Sequence, residues 1–98
     1  MKSVLAISDR DNVATALEAL EPGRTLDVRG TAVTVCDPIP RGHKIALTAI
    51  ASGTPVIKYG SPIGLATADI SAGAHVHTHN VASSRGRGDL GAAQERAS

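Results

Sequence analysis

The stretch Ile39-Pro-Arg-Gly-His-Lys-Ile45 carries the pattern that decides the fold: an apolar residue, two residues, a glycine, two residues and a second apolar residue. The pattern returns in residues 50–56 and 70–76, and in a weaker form in residues 20–26. Each glycine stands where a tight turn needs a positive φ, and the apolar residues are placed to begin and end short strands. The unequal spacing of the copies predicts a compact, folded-over β unit rather than a solenoid.

The composition favours a single, mainly β domain with a small core. The chain has 98 residues, and its ten Gly and five Pro favour short strands and turns over long helices. Because there is no Phe, no Trp and one Tyr, the core must be built from Val, Ile, Leu and Ala. A chain of this size leaves much of its surface exposed, so the small core indicates a partner chain.

Charge and hydropathy exclude two classes of partner. The net charge is +1, and without a basic excess or aromatic residues for base stacking we expect no nucleic-acid binding. No apolar stretch approaches the roughly 18 residues of a membrane-spanning helix, so we expect no membrane partner.

The single cysteine, Cys36, excludes an intrachain disulfide and is typical of a reducing compartment. The first residues, 1–8, are too short an apolar run for a signal peptide, so we expect a cytoplasmic location. Cys36 ends the β-branched run Thr31–Cys36, and we interpret it as a small buried hydrophobe rather than a nucleophile.

The N-terminal part predicts one strand, one helix and a strand pair. Residues 2–8 are typical of a strand, and acidic residues at 9–11 then fit the start of a helix. Residues 11–20 have apolar side chains at helical spacing, and Pro22-Gly23 ends the helix. Residues 25–36 predict a strand pair or one bent strand, broken at Arg29-Gly30. The helical spacing is carried by Val13, Ala14, Leu17 and Leu20.

Three histidines alternate in His75-Val-His-Thr-His-Asn80. Alternation is the period of a strand, so we expect His75, His77 and His79 on one face. Neutral imidazole is the commonest metal ligand, and histidine also transfers protons near neutral pH. Residues four apart on a strand are about 13 Å apart, so one adjacent pair can hold an ion while all three cannot. The alternative is that the three face solvent without a role.

Further candidates lie earlier in the chain. Lys44 and Lys58 alternate with apolar residues, either as solvated side chains or as point charges for a substrate carboxylate. His43 has the opposite strand parity to Lys44, so we expect only one of the two to line a site. Tyr59 is expected to pack its ring at a turn, although its hydroxyl can also donate to a substrate. Asp69 is interpreted as a turn or capping residue.

The composition changes towards the C-terminus. Residues 83–98 predict a flexible polar tail that follows a domain over residues 1–82. Arg85 and Arg87 in this tail either serve solubility or contact an anionic substrate or a partner.

Four blocks in order resemble one protein family. Together they resemble the SAF-type domain of the altronate/galactarate dehydratase family, and Asp11–Leu17 is similar to the opening helix of that family. The resemblance implies a mainly β fold, the SAF-type β-clip of short Gly-punctuated strands with one short N-terminal helix. The blocks are Pro40–Leu47, Pro55–Gly60, Pro62–Gly64 and His75–Asn80.

The resemblance also implies a function. In that family the domain is fused to a large catalytic domain or forms a separate small subunit, and this chain resembles the second arrangement. The implied activity is dehydration of an altronate-like sugar acid to a 2-keto-3-deoxy acid, with Fe²⁺ or Mn²⁺ shared with the large subunit. A related branch removes sulfite from sulfolactate. A non-catalytic binding or capping module is the alternative from another class.

Dehydration needs a base for the carbon-bound proton, an acid for the leaving hydroxide and a metal for the developing charge. The chain has few carboxylates near its histidines, so we expect no activity without the large catalytic subunit, and we leave open a homo-oligomer of the isolated chain. The site candidates are His75 and His77 for catalysis, His75, His77 and His79 for metal, and Lys44, Asn80, Arg85 and Arg87 for substrate.

Overall fold

A computed structural model describes residues 3–83, and in this range the protein consists of short strands and turns without a helix. The prediction of a mainly β domain is confirmed. Within the same range, no segment forms a helix able to span a bilayer. The strands are β1 (Val4–Leu5), β2 (Val13–Ala16), β3 (Thr25–Val28), β4 (Thr31–Thr34), β5 (Lys44–Ala46), β6 (Pro55–Lys58), β7 (Ser61–Ala66), β8 (His75–Val76) and β9 (Val81–Ser83).

The strands form three antiparallel sheets. The largest has the order β1-β2-β5-β8, in which β5 pairs with β2 on one side and with β8 on the other. Strands β3 and β4 form a hairpin, while β6, β7 and β9 form the third sheet. The four-stranded sheet therefore joins strands that are far apart in the chain, and β8 lies at its edge.

The glycine-centred copies found in the sequence are structural units. Their first apolar residues form isolated bridges, in which Leu20 pairs with Ile39 and Ile50 pairs with Ile70. The predicted positive φ is confirmed, with values between +87° and +93° at Gly23, Gly42, Gly53 and Gly73.

Each bridge closes a hairpin, so the chain contains two similar units: the first unit (residues 20–45) and the second unit (residues 50–76). The hairpin of the first unit turns at Arg29-Gly30 and that of the second at Tyr59-Gly60, with positive φ at all four residues. Positive φ at both central residues is typical of a type I′ turn, which matches the twist of the flanking strands. The predicted break at Arg29-Gly30 is therefore confirmed.

Two adjacent aliphatic cores hold the units together. The apolar positions of the four copies are all buried, and none is more than 7% exposed. The composition required such a core of Val, Ile, Leu and Ala. The positions are Leu20, Leu26, Ile39 and Ile45 in the first core and Ile50, Val56, Ile70 and Val76 in the second.

The predicted helix at residues 11–20 is wrong. Residues Val13–Ala16 form β2, which pairs with β1 on one side and β5 on the other. A strand in the middle of a sheet buries side chains on both faces, and those of β2 enter both cores. Such a run does not alternate between apolar and polar residues, so its spacing can imitate a helix. Leu17, which the helix would have buried, is 42% exposed.

Asp11, placed by the sequence at the start of that helix, instead fixes a long-range turn. It is 6% exposed. Its Oδ2 accepts hydrogen bonds from the amides of Ile7 and Ser8, both at 3.1 Å, and its Oδ1 accepts one from the Gly60 amide at 2.7 Å. Burial raises the pKa of the Asp11 carboxyl, but these backbone hydrogen bonds outweigh burial and hold the pKa below its ordinary value.

The burial expected for Cys36 is wrong, because the side chain is exposed. Cys36 continues the alternation of β4, in which Val33 and Val35 point into the core and Thr34 points outward. Partial desolvation of the thiol and then the neighbouring Asp37 charge raise its pKa, which disfavours the reactive thiolate.

The two ends of the chain match the prediction only in part. The first strand is confirmed but shorter, since β1 covers Val4–Leu5 rather than residues 2–8. Ser83 belongs to β9. The rest of the predicted tail, residues 84–98 with Arg85 and Arg87, lies outside the described residues.

Candidate functional site

The histidine stretch is a short strand followed by a turn. Strand β8 ends at Val76, and residues 77–80 form a bend and turn, so the strand expected through His79 is wrong. Asn80 holds this turn: its Oδ1 accepts from the His77 amide at 3.0 Å, and its Nδ2 donates to the His75 carbonyl at 2.8 Å. The Asn80 amide also donates to the His77 carbonyl at 3.1 Å. The positions of His75 and His77 are therefore fixed by one side chain.

Three imidazoles converge, and one of them comes from the first unit. Nδ1 of His43 and Nε2 of His75 form a hydrogen bond of 2.8 Å. The rings of His43 and His77 stack with centroids 3.8 Å apart. One nitrogen from each of His43, His75 and His77 lies within 4.8 Å of the others. We call these three residues the histidine group.

His43 reaches the group because it follows the turn at Gly42 and directly precedes β5, the strand that pairs with β8. Strand parity separates it from Lys44 as predicted: Lys44 pairs with Val76, and Ile45 pairs with His75 on the opposite face. However, His77 lies beyond the end of β8, where it stacks on His43 and also lines a cavity with Lys44. Both residues therefore approach His77, against the expectation that only one would line the site.

His79 lies at the margin of the site. Its side chain is exposed and its ring centroid is 5.0 Å from that of His75, with the rings tilted by 34°. The structure places His43 rather than His79 in the histidine group, and a metal-binding role for His79 stays a prediction.

The electrostatic environment favours neutral imidazoles. Burial, followed by the charges of His79, His43 and His77, lowers the pKa of His75, and only Asp37 acts in the opposite direction. Desolvation, followed by His43, Lys44 and His79, lowers the pKa of His77. The neutral ring is the form that accepts a proton or binds a metal ion.

Asp37 supports the group from the first unit and was missed in the sequence. Its Oδ2 accepts a hydrogen bond from the His75 amide at 3.0 Å. The signal that could have found it is positional, because Asp37 and Asp69 stand just before the copies that close the two units. Asp69 acts as predicted, since its Oδ1 accepts from the Ser52 amide at 2.9 Å.

Two lysines lie on the other side of His77. Lys44 is half-buried, and burial, followed by the charge of Lys58, lowers its pKa. Lys58 places its Nζ 4.8 Å from the ring centroid of Tyr59, a cation–π contact at the hairpin turn. Tyr59 is at the turn as predicted, but its side chain is 48% exposed.

The histidine group can hold a divalent metal ion. Three neutral imidazole nitrogens are a common protein donor set for Zn²⁺, Fe²⁺ and similar ions. The observed separations and lowered pKa values of His75 and His77 fit such an ion. Three protein donors leave further ligand positions open, as catalytic sites require.

The amino-acid sequence matches a known protein family. Residues 2–84 match the family model described as the altronate/galactarate dehydratase SAF domain. The chain is 48% identical over 80 residues to an altronate dehydratase of Bacillus subtilis, a match that covers 82% of the chain and 16% of the relative. It is 57% identical over 70 residues to an altronate dehydratase of Escherichia coli, which covers 71% of the chain and 14% of the relative.

A second kind of relative is a named subunit. The chain is 51% identical over 47 residues to the (2R)-sulfolactate sulfo-lyase subunit alpha of Paracoccus pantotrophus, covering 48% of the chain and 70% of that subunit. The chain therefore spans about one sixth of the altronate dehydratases but matches most of the sulfo-lyase subunit.

Proposed function

The chain belongs to the altronate/galactarate dehydratase SAF-domain family, and on this premise we propose that it is the small subunit of a metal-dependent hydro-lyase. The substrate is an altronate-like sugar acid, the product is a 2-keto-3-deoxy acid, and a separate large subunit completes the active site. The observation that carries the proposal is the convergence of His43, His75 and His77 beside Lys44.

The pattern of similarity favours the dehydratase branch. The matches to altronate dehydratases cover 82% and 71% of the chain, whereas the sulfo-lyase subunits match 48% and 52% of it at similar identity. The relatives named subunit alpha are precedents for this domain as a separate subunit. They also make the small subunit of a sulfolactate sulfo-lyase the second candidate function.

The reaction removes a proton from the carbon beside the carboxylate and hydroxide from the next carbon, and the enol product rearranges to the 2-keto acid. His77 lines a cavity, and its neutral imidazole can take one of two roles there. It either accepts this proton or joins His43 and His75 as a ligand of the ion, because a ring nitrogen that binds a metal does not accept a proton. His75 and His43 share a hydrogen bond, which fixes the orientation of both rings. Asn80 and Asp37 hold the backbone on which His75 and His77 stand.

A divalent ion such as Fe²⁺ or Mn²⁺, held by the histidine group and by ligands from the large subunit, would supply Lewis acidity at the substrate oxygens. Within residues 3–83, the group of three possible ligands contains histidines and no carboxylate. Carboxylate ligands and a second acid–base residue therefore belong to the large subunit in this proposal.

The test is reconstitution with a candidate dehydratase-like large chain from the same genome. Formation of 2-keto-3-deoxy acid from altronate and galactarate, and release of sulfite from sulfolactate, are measured for the chain, for the large chain and for the pair. We expect turnover of a sugar acid by the pair alone.

Each other outcome has a defined meaning. Turnover by the purified chain alone contradicts a shared active site. Sulfite release without sugar-acid dehydration supports the second candidate. If the large chain is fully active alone and this chain changes only its assembly, the capping-module interpretation replaces the proposal.

A further inference from the structure

Lys44 is a half-buried cation whose charge is not neutralised within the described residues. The ion pair found among residues 3–83 joins Arg24 to Glu18, and Lys44 has no acidic partner in that range. On the sheet, Lys44 pairs with Thr15 of β2 on one side and with Val76 of β8 on the other. These three side chains therefore share one face. A partly desolvated charge without a partner is unfavourable unless an anion approaches it.

A second cation lies nearby. Lys58, at the end of β6, is also half-buried, and its charge acts on Lys44. The strand that carries it is fastened to the start of β2 by Asn12, whose Nδ2 donates to the Pro55 carbonyl at 3.0 Å and whose Oδ1 accepts from the Ile57 amide at 2.7 Å. An anion that approaches both cations would reduce their mutual repulsion.

The surroundings of Lys44 have the character of a small-molecule site. An open cavity of about 180 Å³ runs from Lys44 to His77. Its walls are largely apolar, with few polar groups to orient a ligand, as is usual in binding sites. The residues that line it are Lys44, Ile63, Val76, His77, Thr78 and Val81.

We propose that Lys44 and Lys58 form a carboxylate-binding subsite that holds the acid end of the substrate beside His77. The assignment of the acid as a sugar acid rests on the proposed function, whereas the existence of the anion site does not. The subsite would orient the carbon next to the carboxylate towards the neutral imidazole.

The test is binding of D-gluconate, a six-carbon sugar acid, to the full chain. The titration is followed by the NMR signals of the lysine Cε methylene groups, with sorbitol as the neutral analogue and sodium chloride as the control for ionic strength. We expect saturable shifts of Lys44 and Lys58 with gluconate, and no saturable shift with sorbitol or chloride. Equal responses to chloride and gluconate, or no response to gluconate, would overturn the subsite.

Variants locate the site. Lys44→Gln and Lys58→Gln should each weaken gluconate binding about tenfold, the usual effect of losing a charged hydrogen-bond donor. Arg10→Gln, at an exposed cation away from the cavity, is the matched control and should bind like the wild type. Unchanged binding in both lysine variants overturns the proposal.

The reconstituted pair separates this inference from the proposed function. There, Lys44→Gln should raise KM for the sugar acid much more than it lowers kcat, while Lys44→Arg restores part of the KM. Gluconate binding that depends on both lysines, in a chain that supports no dehydration, would retain the subsite and remove the function. If the pair is active and neither Lys44→Gln nor Lys58→Gln changes the KM for the sugar acid, the proposed function is retained and the subsite is removed.

Discussion

The two units share a backbone path but carry different chemistry. After its closing glycine the first unit continues as His43-Lys-Ile-Ala46, and the second continues as Ala74-His-Val-His77. In the sheet, β5 is paired on both sides, whereas β8 is an edge strand of two residues. The edge position frees His77 from the strand, and pairing with β5 brings His43 to it. The place of each unit in the sheet therefore decides where the imidazoles meet.

The turns of the two hairpins also differ, since one is held by a local contact and the other by a distant residue. The Gly30 amide donates to Oδ1 of Asp27 at 3.0 Å, a local and exposed contact. The corresponding Gly60 amide donates to Oδ1 of Asp11 at 2.7 Å, although Asp11 lies 49 residues earlier. The second unit has Ile57 where the first has Asp27, so its turn depends on a residue outside the unit. One repeat can stabilise its turn locally while the other cannot.

The largest expected effect distinguishes Gly73 from its counterpart Gly53. Both have a φ of +87°, but a Cβ at Gly73 would overlap the Thr34 carbonyl, whereas one at Gly53 meets nothing. Gly53→Ala should cost about 1–2 kcal/mol from the left-handed conformation alone. Gly73→Ala adds an overpacking penalty, for a total of about 2–5 kcal/mol. Urea denaturation of both variants measures the difference, and equal losses would show that the two turns are equivalent.

The next effect compares the two turn aspartates. Asp11→Ala leaves three backbone amides without their acceptor and should cost about 2–3 kcal/mol, while Asp27→Ala loses one exposed bond and should cost about 0.5–1 kcal/mol. Thermal or urea unfolding at pH 7 gives both values. If Asp27→Ala lowers the free energy of unfolding more than Asp11→Ala does, the long-range turn contact is not the stronger of the two.

The Asp11 carboxyl predicts how the stability of the protein depends on pH. The folded pKa of Asp11 lies below its unfolded value, so its contribution is fully present above about pH 4 and is lost as the pH falls through the folded pKa. The wild type should therefore lose stability on acidification more steeply than Asp11→Ala. Parallel curves for the two proteins between neutral and acidic pH would contradict the role of the carboxylate.

A third comparison concerns two histidines that follow the second unit. His77→Ala should reduce both the Co²⁺ affinity of the full chain and turnover by the reconstituted pair. Each loss should exceed the roughly 10–100-fold that is typical when a residue hydrogen-bonded to a metal ligand is removed. His79→Ala, at an exposed residue outside the histidine group, should have a much smaller effect. Both variants should keep the wild-type fold by circular dichroism. Wild-type metal affinity and turnover in His77→Ala would show that the site lies elsewhere.

The smallest expected effect compares the aspartates that precede the closing copies. Asp37→Ala and Asp69→Ala should each cost about 1 kcal/mol, because each removes the acceptor of one backbone amide. Only Asp37→Ala should also weaken Co²⁺ binding, and Asp37→Asn, which keeps an acceptor oxygen, should restore most of it. Equal metal affinity in Asp37→Ala and Asp69→Ala would show that Asp37 does not position His75.

The repeat could be predicted from sequence because its signals are local. A glycine with a required φ, flanked by residues that must be buried, specifies a turn and two strand ends at any place in a fold. All four copies therefore appeared in the right places. Residues 11–20 failed for the opposite reason, since β2 is a strand only because β1 and β5 flank it.

The site was predictable only where it is contiguous. His75 and His77 attracted attention through their spacing, but His43 joins them through the pairing of β5 with β8, which the sequence does not state. Strand parity correctly placed His43 and Lys44 on opposite faces. The expectation that only one of them lines the site was nevertheless wrong, because parity does not indicate that β8 ends at Val76. Asp37 was missed because its hydrogen bond joins it to His75, which lies 38 residues later in the chain.

The bond between Asp11 and Gly60 also constrains how the protein is made. A ribosome synthesises roughly 5–20 residues per second, so Asp11 emerges several seconds before its partner. During this interval the first hairpin can close, since its turn needs only Asp27, while the Gly60 amide that donates to Asp11 has not yet emerged. Folding dominated by such distant pairings is intrinsically slow, on the order of milliseconds to seconds. The domain therefore completes its fold only after the tip of the second hairpin has emerged.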